Sequence, residues 1–238
     1  MKVAITQPNF LPWLGYFELL DKVDLFISLD NVQTTKRSFI VRNQVKSPNG
    51  NAKWISVNLE KASRGVLIMD AILAKGGWWA LHFEKIRNYY QEAPFLDKYN
   101  ALIWELLNPG DDETLGDYNL HIIQKLVKEL GITVEFQKSS DIQPVLEGTP
   151  QEKILAILKK VGATEFYNFK RGVDVGLYQP DILTSQRILL FKQDYQHPEY
   201  AQTGEEFLPY MAIIDLLVNK GEKAREILLS GSNWVKMN

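Results

Sequence analysis

Apolar positions recur along the chain with two periods, and the two periods alternate. Residues 2–6 (KVAIT) form a short β-rich run that stops at Gln7-Pro8, since Pro8 has no N–H to give a central ladder. Leu14, Phe17 and Leu20, flanked by Leu19 and Val23, repeat at helical spacing and predict a helix over 13–23. The run DLFISL over 24–29 has strand length and ends at Asp30-Asn31. Strand, loop, helix and strand in that order make a βαβ unit with a parallel sheet. A right-handed crossover puts the loop after the first strand at the carboxyl edge of the sheet, where such folds place ligands.

The pattern continues with a strand at 53–59 (KWISVNL), and Asn49-Gly50 before it is a hairpin signal. A further strand is expected at 67–74. Residues 78–90 predict a helix with Trp79, Phe83, Ile86 and Tyr90 on one stripe, and helices follow at 96–107 and 115–130. Gly131 sits where a helix C-cap belongs and leads into a strand at 132–137. Thr149 caps a helix over 150–161, with Pro150 in its first turn and Gly162 beyond its end. Strands at 164–168 and 188–191 and helices at 207–217 and 220–229 complete the reading. Without an internal repeat, low-complexity tract or linker, residues 1–238 read as a single α/β domain. Its core is a parallel, Rossmann-like sheet, β-rich to about residue 75 and helix-rich thereafter.

Composition narrows the chemistry. A chain of 238 residues can bury a core unaided, and the absence of cysteine removes thiol nucleophiles, disulfides and Cys-type zinc sites. Lys and Arg number 27 against 29 acids, a net charge of −2 that offers nucleic acid no attracting field. The three histidines form no metal motif, and the sequence has no Walker loop, GxGxxG or GxSxG. The start MKVAITQPNF lacks the apolar core of a signal peptide, and no run approaches the length of a membrane span, so the cytoplasm is the expected location.

Three segments carry candidate chemistry. QPNFLPWLGYF holds Gln7, Asn9, Trp13, Gly15 and Tyr16 in a stiff loop whose Gly15 permits close backbone approach and whose following helix start suits an anion. Its alternative role is an aromatic plug that packs the loop. LDNVQTTKRSFIVRN brings Asp30, Gln33, Asn43 and the cations Lys36, Arg37 and Arg42 after the second strand. The two arginines suit bidentate binding of phosphate or carboxylate, and Asp30 suits a base or metal ligand; a solvated hairpin is the alternative. YQHPEYAQ sets His197, Tyr200 and Gln202 in an extended turn, whereas His82 and His121 lie on predicted helices and read as structural.

Taken together, these segments resemble the WbqC-like protein family of bacteria. The matching pieces are QPNFLPWLGYF, SLDNVQTTKRSFIVRN, the NG turn with KWISVNL, the helix with Trp78, His82 and Tyr90, HPEYAQ, and IIDLLVNKG. The chain departs from the family pattern at Asn58, where Pro is usual, and at Ala212, where Ser is usual; Gly172 to Tyr178 matches loosely. Loss of that Ser turns attention to Asp215 and Asn219 as anchors. The N-terminal unit is also similar to HIGH-motif nucleotidyltransferases, but Trp13 and Tyr16 stand where that motif has histidines, which removes its phosphate-stabilising groups.

The family resemblance implies a role in surface polysaccharide of the O-antigen type. The expected activity is acyl or aminoacyl transfer to the amine of a nucleotide-linked amino sugar. Lys36, Arg37 and Arg42 would hold the diphosphate or donor, Trp13 and Tyr16 would stack on base or sugar, and Asp30 or His197 would take the proton. The sequence names no cofactor; a nucleotide or an acyl donor is compatible with it, as is an oligomer. The alternative is a non-catalytic protein that binds the sugar nucleotide or a partner enzyme, favoured if Asp30 and His197 lie apart.

Overall fold

The computed structural model describes residues 1–35, 37–61 and 66–237. The first half runs β1 (Lys2–Thr6), α1 (Leu14–Lys22), β2 (Leu25–Ser28), the hairpin β3 (Arg42–Lys46) and β4 (Ala52–Ser56), then α2 (Trp78–Tyr89), α3 (Leu96–Leu107) and α4 (Leu115–Glu129). Next come β5 (Glu135–Lys138), α5 (Ser139–Ile142), α6 (Pro150–Lys160), β6 (Glu165–Phe169), α7 (Lys170–Asp174) and α8 (Pro180–Ser185). The chain closes with β7 (Leu189–Gln193), α9 (Ile213–Lys220), α10 (Ala224–Ser230) and β8 (Trp234–Lys236).

Among the described residues, six strands form one sheet in the order β5-β2-β1-β6-β7-β8, parallel except where β8 runs against β7. The chain builds outward from β1 through β2 to β5, then returns to the other side of β1 with β6 and continues through β7. The strand order therefore reverses between β1 and β6. This is an α/β fold with a mostly parallel sheet, as the alternating periods predicted.

Alternation of side chains along each strand explains the layering. Ala4, Phe26 and Tyr167 point to one face, against α1, α9 and the large helical cluster. Val3, Ile5, Leu25, Ile27, Phe166 and Leu190 point to the other, against Ile154, Ile157 and Leu158 of α6, Val173 of α7 and Leu183 of α8. Buried on both faces, β1 and β2 need the continuous apolar runs that their sequences show. Among the described residues, no helix is long and apolar enough to cross a membrane.

Several expectations shift. Residues 67–74 form a 3-10 turn at Ile68–Asp70 joined to the fold by isolated bridges, because Leu67, Ile72 and Leu73 each pair with a different segment. The helix expected from 207 begins at Ile213: Pro209 and the left-handed Tyr210 (φ 62°) break the turn, and Ala212 N–H bonds Gln44 O instead. The hairpin β3–β4 forms its own two-stranded sheet outside the parallel core. Thr149 caps α6 as expected, with Thr149 N–H donating to Glu152 Oε2 at 2.7 Å in a full capping box.

Candidate functional site

The loop after β1 is clamped by its own carbonyls. Tyr16 hydroxyl donates to Gln7 O at 3.1 Å, and Asn119 Nδ2 donates to Pro8 O and Ile40 O, both at 2.8 Å. Asn43 Nδ2 donates to Phe10 O at 3.2 Å and Leu11 O at 2.6 Å, and Ile213 N–H bonds Pro12 O at 2.9 Å. Phe10, Leu11, Leu14, Tyr16 and Phe17 are fully buried. The loop is thus an aromatic plug whose buried polar groups are met by donors from β3, α4 and α9, as buried carbonyls require. Tyr16 presents no face to a ligand, and burial pushes its phenol pKa well above the ordinary value. A Cβ at Gly15 would stand 2.2 Å from Trp13 Cη2, so the close approach that needs glycine is that of the Trp13 ring. Trp13 itself packs against Tyr195, His197 and Tyr210 at ring separations of 5.4 to 6.2 Å. Asn9 is half-buried in the same loop.

The second segment disperses its polar groups. Asp30 is buried; its Oδ1 lies 2.9 Å from the Ser139 hydroxyl and accepts from Ser140 N–H at 3.0 Å, and its Oδ2 accepts from the Ser140 hydroxyl at 2.7 Å. It acts as a cap on the first turn of α5, supplied from a distant part of the sequence. Gln33 is exposed and bridges to Leu67. Arg42 lies 3.9 Å over the Trp54 ring and its Nε donates to Arg37 O at 3.1 Å, which ties the loop before β3 to the hairpin. Lys36 lies outside the described residues.

The third segment closes on α9. Asp215 is wholly buried and accepts from Tyr90 hydroxyl at 2.9 Å, Tyr200 hydroxyl at 2.8 Å and Gln202 Nε2 at 2.9 Å. Burial pushes its carboxyl pKa up, opposed by those three hydrogen bonds and by the charge of Lys46. Asn219 Oδ1 accepts from Thr203 N–H and hydroxyl, both at 2.8 Å. Tyr200 and Gln202 therefore secure the 195–211 loop to α9, with Asp215 and Asn219 as its anchors. His197 Nδ1 lies 3.0 Å from Pro198 O and Nε2 accepts Tyr210 N–H at 3.1 Å, so both ring nitrogens are engaged. Among the described residues, Asp30 and His197 share no partner. The strands they follow, β2 and β7, are three spacings or about 14 Å apart across the sheet.

A different set of side chains converges where the strand order reverses. A cleft of about 620 Å³ opens at the carboxyl ends of β1 and β6, walled by α6 and the α7–α8 segment. Gln7 and Asn168 bring amides to it, and Lys153 and Arg171 bring cations. Its lining holds no carboxylate among the described residues, and neither cation forms a salt bridge there. Asn168 accepts Phe169 N–H at 2.7 Å and donates to Ile5 O at 3.4 Å, which fixes its amide at the β1–β6 junction. Burial pushes the Tyr178 phenol pKa up, partly offset by a hydrogen bond with Asn168. A Cβ at Gly172 would stand 3.1 Å from Asn168 Oδ1 and 3.3 Å from the Tyr178 ring, so a larger residue there would crowd both.

Residues 7–227 match the WbqC-like protein family. The chain belongs to that family. An uncharacterized protein of Mycobacterium tuberculosis is 31% identical over 236 residues, covering 95% of this chain and 97% of its own length. No solved structure matches. The WbqC-like match begins at Gln7, the first residue of the plug, and includes every cation and amide of the cleft. Of the fourteen residues singled out in the sequence, Lys36 lies outside the described residues, and of the other thirteen Gln7 alone lines the cleft. Lys153, Asn168 and Arg171 were missed because they sit late in the chain, outside the polar loops that drew attention. A usable signal was present: NFKRG begins at the last residue of a predicted strand, the place where a parallel sheet puts its ligand residues.

Proposed function

We propose that this WbqC-like chain binds a nucleotide-linked amino sugar of surface-glycan biosynthesis in the β1–β6 cleft. One observation carries the reading: two cations without carboxylate partners among the described residues, Lys153 and Arg171, line a cleft at the reversal of strand order. Ligands of open parallel sheets bind there, and paired cations suit a diphosphate. Gln7 and Asn168 supply amide groups for a sugar or base, and the first turn of α6 adds a favourable dipole.

Binding takes precedence over transfer in this reading. Asp30 is spent on α5 and His197 on Tyr210, so neither is placed to take a proton from an amine in the cleft. Acylation of the sugar amine, the second reading, would draw its acceleration from positioning of donor and acceptor.

The test is a thermal-shift screen of the purified protein against a panel of nucleotide-linked amino sugars, with Lys153→Ala and Arg171→Ala variants alongside. Ligand at a hundred times its dissociation constant stabilises by about 2.7 kcal/mol, or roughly 5–11 °C for a chain of this size. The expected outcome is a shift with one sugar nucleotide that shrinks in both variants. A shift untouched by either substitution would move the site elsewhere, and no shift at all would sink the reading.

A further inference from the structure

The polar groups of the cleft stand among a larger number of apolar ones. Leu29, Val32, Leu146, Val175 and Leu177 line it beside Lys153 and Arg171. Leu177 and Pro150 also line an adjoining groove of about 470 Å³, together with Leu155 and Ile182 and with the polar Thr149, Gln151, Glu152 and Gln179 at its edge, the Glu152 carboxylate being taken up by Thr149. Apolar surface therefore runs on from the cationic cleft into a second depression. Much of it faces water: Val175 is 64% exposed, and Leu177 and Ile182 are each 41% exposed. Single exposed aliphatic residues are ordinary, but several around one cleft and its extension mark a binding surface. Val175 and Leu177 lie in the connection between α7 and α8 and Ile182 on α8, and the burial of Val173 and Leu183 in the core seats the two helices that flank them.

A bare diphosphate or sugar would leave this surface unused. A linear hydrocarbon would cover it, and each buried methylene strengthens binding about four-fold. We infer that the cleft and the adjoining groove together take an anionic amphiphile, with a phosphate-bearing head on Lys153 and Arg171 and an alkyl or acyl chain along Leu177 and Ile182. The inference rests on the reading that the cleft holds an anionic head, and it adds the hydrocarbon attached to that head. The shared chemistry is the same whether the chain arrives as a free phosphorylated donor or as a lipid-linked sugar in a bilayer.

Calorimetry with decyl phosphate, kept below its micelle concentration, and with inorganic phosphate tests this directly. Decyl phosphate is expected to bind at least about ten-fold tighter than inorganic phosphate, given the methylenes it can bury. Ile182→Asn, at an exposed position in the groove outside the cleft, should erode that advantage while leaving inorganic phosphate affinity unchanged, which also reports that the variant folds; Leu177→Asn, where cleft and groove meet, should erode it as well. Equal affinities for the two probes, or an advantage that survives both substitutions, would overturn the inference. Sedimentation with vesicles containing phosphatidic acid, lost in Leu177→Asn, would assign the bilayer as the source; binding of decyl phosphate alone would assign a free donor. Nucleotide-linked amino sugars run in parallel separate the two proposals. Their binding without a decyl advantage removes this inference alone, and a decyl advantage without their binding removes the sugar-nucleotide reading alone.

Discussion

His197 Nε2 accepts the N–H of Tyr210, a residue held at φ 62°, while the imidazole is enclosed by Trp13, Tyr195, Phe207 and Tyr210. Burial, opposed by backbone hydrogen bonds at Pro198 and at His197 itself, lowers its pKa below the ordinary 6.5. A proton on Nε2 would also remove the acceptor that Tyr210 uses. The unfolded chain therefore binds a proton that the folded chain refuses, so stability rises with pH between the folded pKa and 6.5 and falls as pH drops through that window. His82, lowered by burial and the charge of Lys85 against a bond to Ser56, acts with the same sign. Asp215 acts oppositely: its raised pKa means that stability present under acid is lost as pH rises through the folded value. Comparing wild type with His197→Gln at each pH cancels the Asp215 and His82 contributions. Urea unfolding at about pH 7.5 and about pH 5.5 should show wild type losing more stability on acidification than His197→Gln. Equal losses would mean that His197 does not titrate in this window.

At the scale of elements, legibility followed the range of the interactions that make each element. Helix α3 falls at Leu96–Leu107 as its periodicity predicts, and β1 at Lys2–Thr6, because each is specified by its own residues. Short elements held from afar were not legible. Strand β8 depends on Trp234 Nε1 donating to buried Glu18 at 2.6 Å, across most of the chain. Helix α5 depends on Asp30, more than a hundred positions earlier. The same limit applies to the site. Asp30 looked like a base because it ends a strand among cations, and only the return of α5 to that point shows where its two oxygens go. Asp30→Asn keeps the size but removes the charge and part of the acceptor set. It is expected to cost about 1.5–3 kcal/mol, the usual scale for hydrogen bonds to a charged group. Hydrogen exchange should quicken at 139–142 while affinity for nucleotide-linked sugars holds. Loss of affinity without loss of stability would return Asp30 to the binding site.

For the molecule as a whole, a net charge of −2 gives no long-range attraction for an anionic ligand. What attraction exists is local, from Lys153 and Arg171 beside a cleft whose described lining carries no opposing carboxylate. Lys153 is half-buried and Arg171 exposed, so the two cations should respond unequally to salt. Screening shortens to about 3 Å at 1 M salt from about 10 Å at 0.1 M, which reaches an exposed guanidinium before a partly covered ammonium. Affinity for a nucleotide-linked amino sugar should therefore fall several-fold as salt rises across that range, measured by calorimetry at fixed pH. Arg171→Ala should bind more weakly at low salt and show a shallower decline, since the remaining cation is the better shielded. Lys153→Ala should keep the steeper slope. If both variants matched the wild-type slope, ligand charge would be met by groups outside the cleft; Arg37, in the loop before β3, and Arg42 would then be the next pair to substitute.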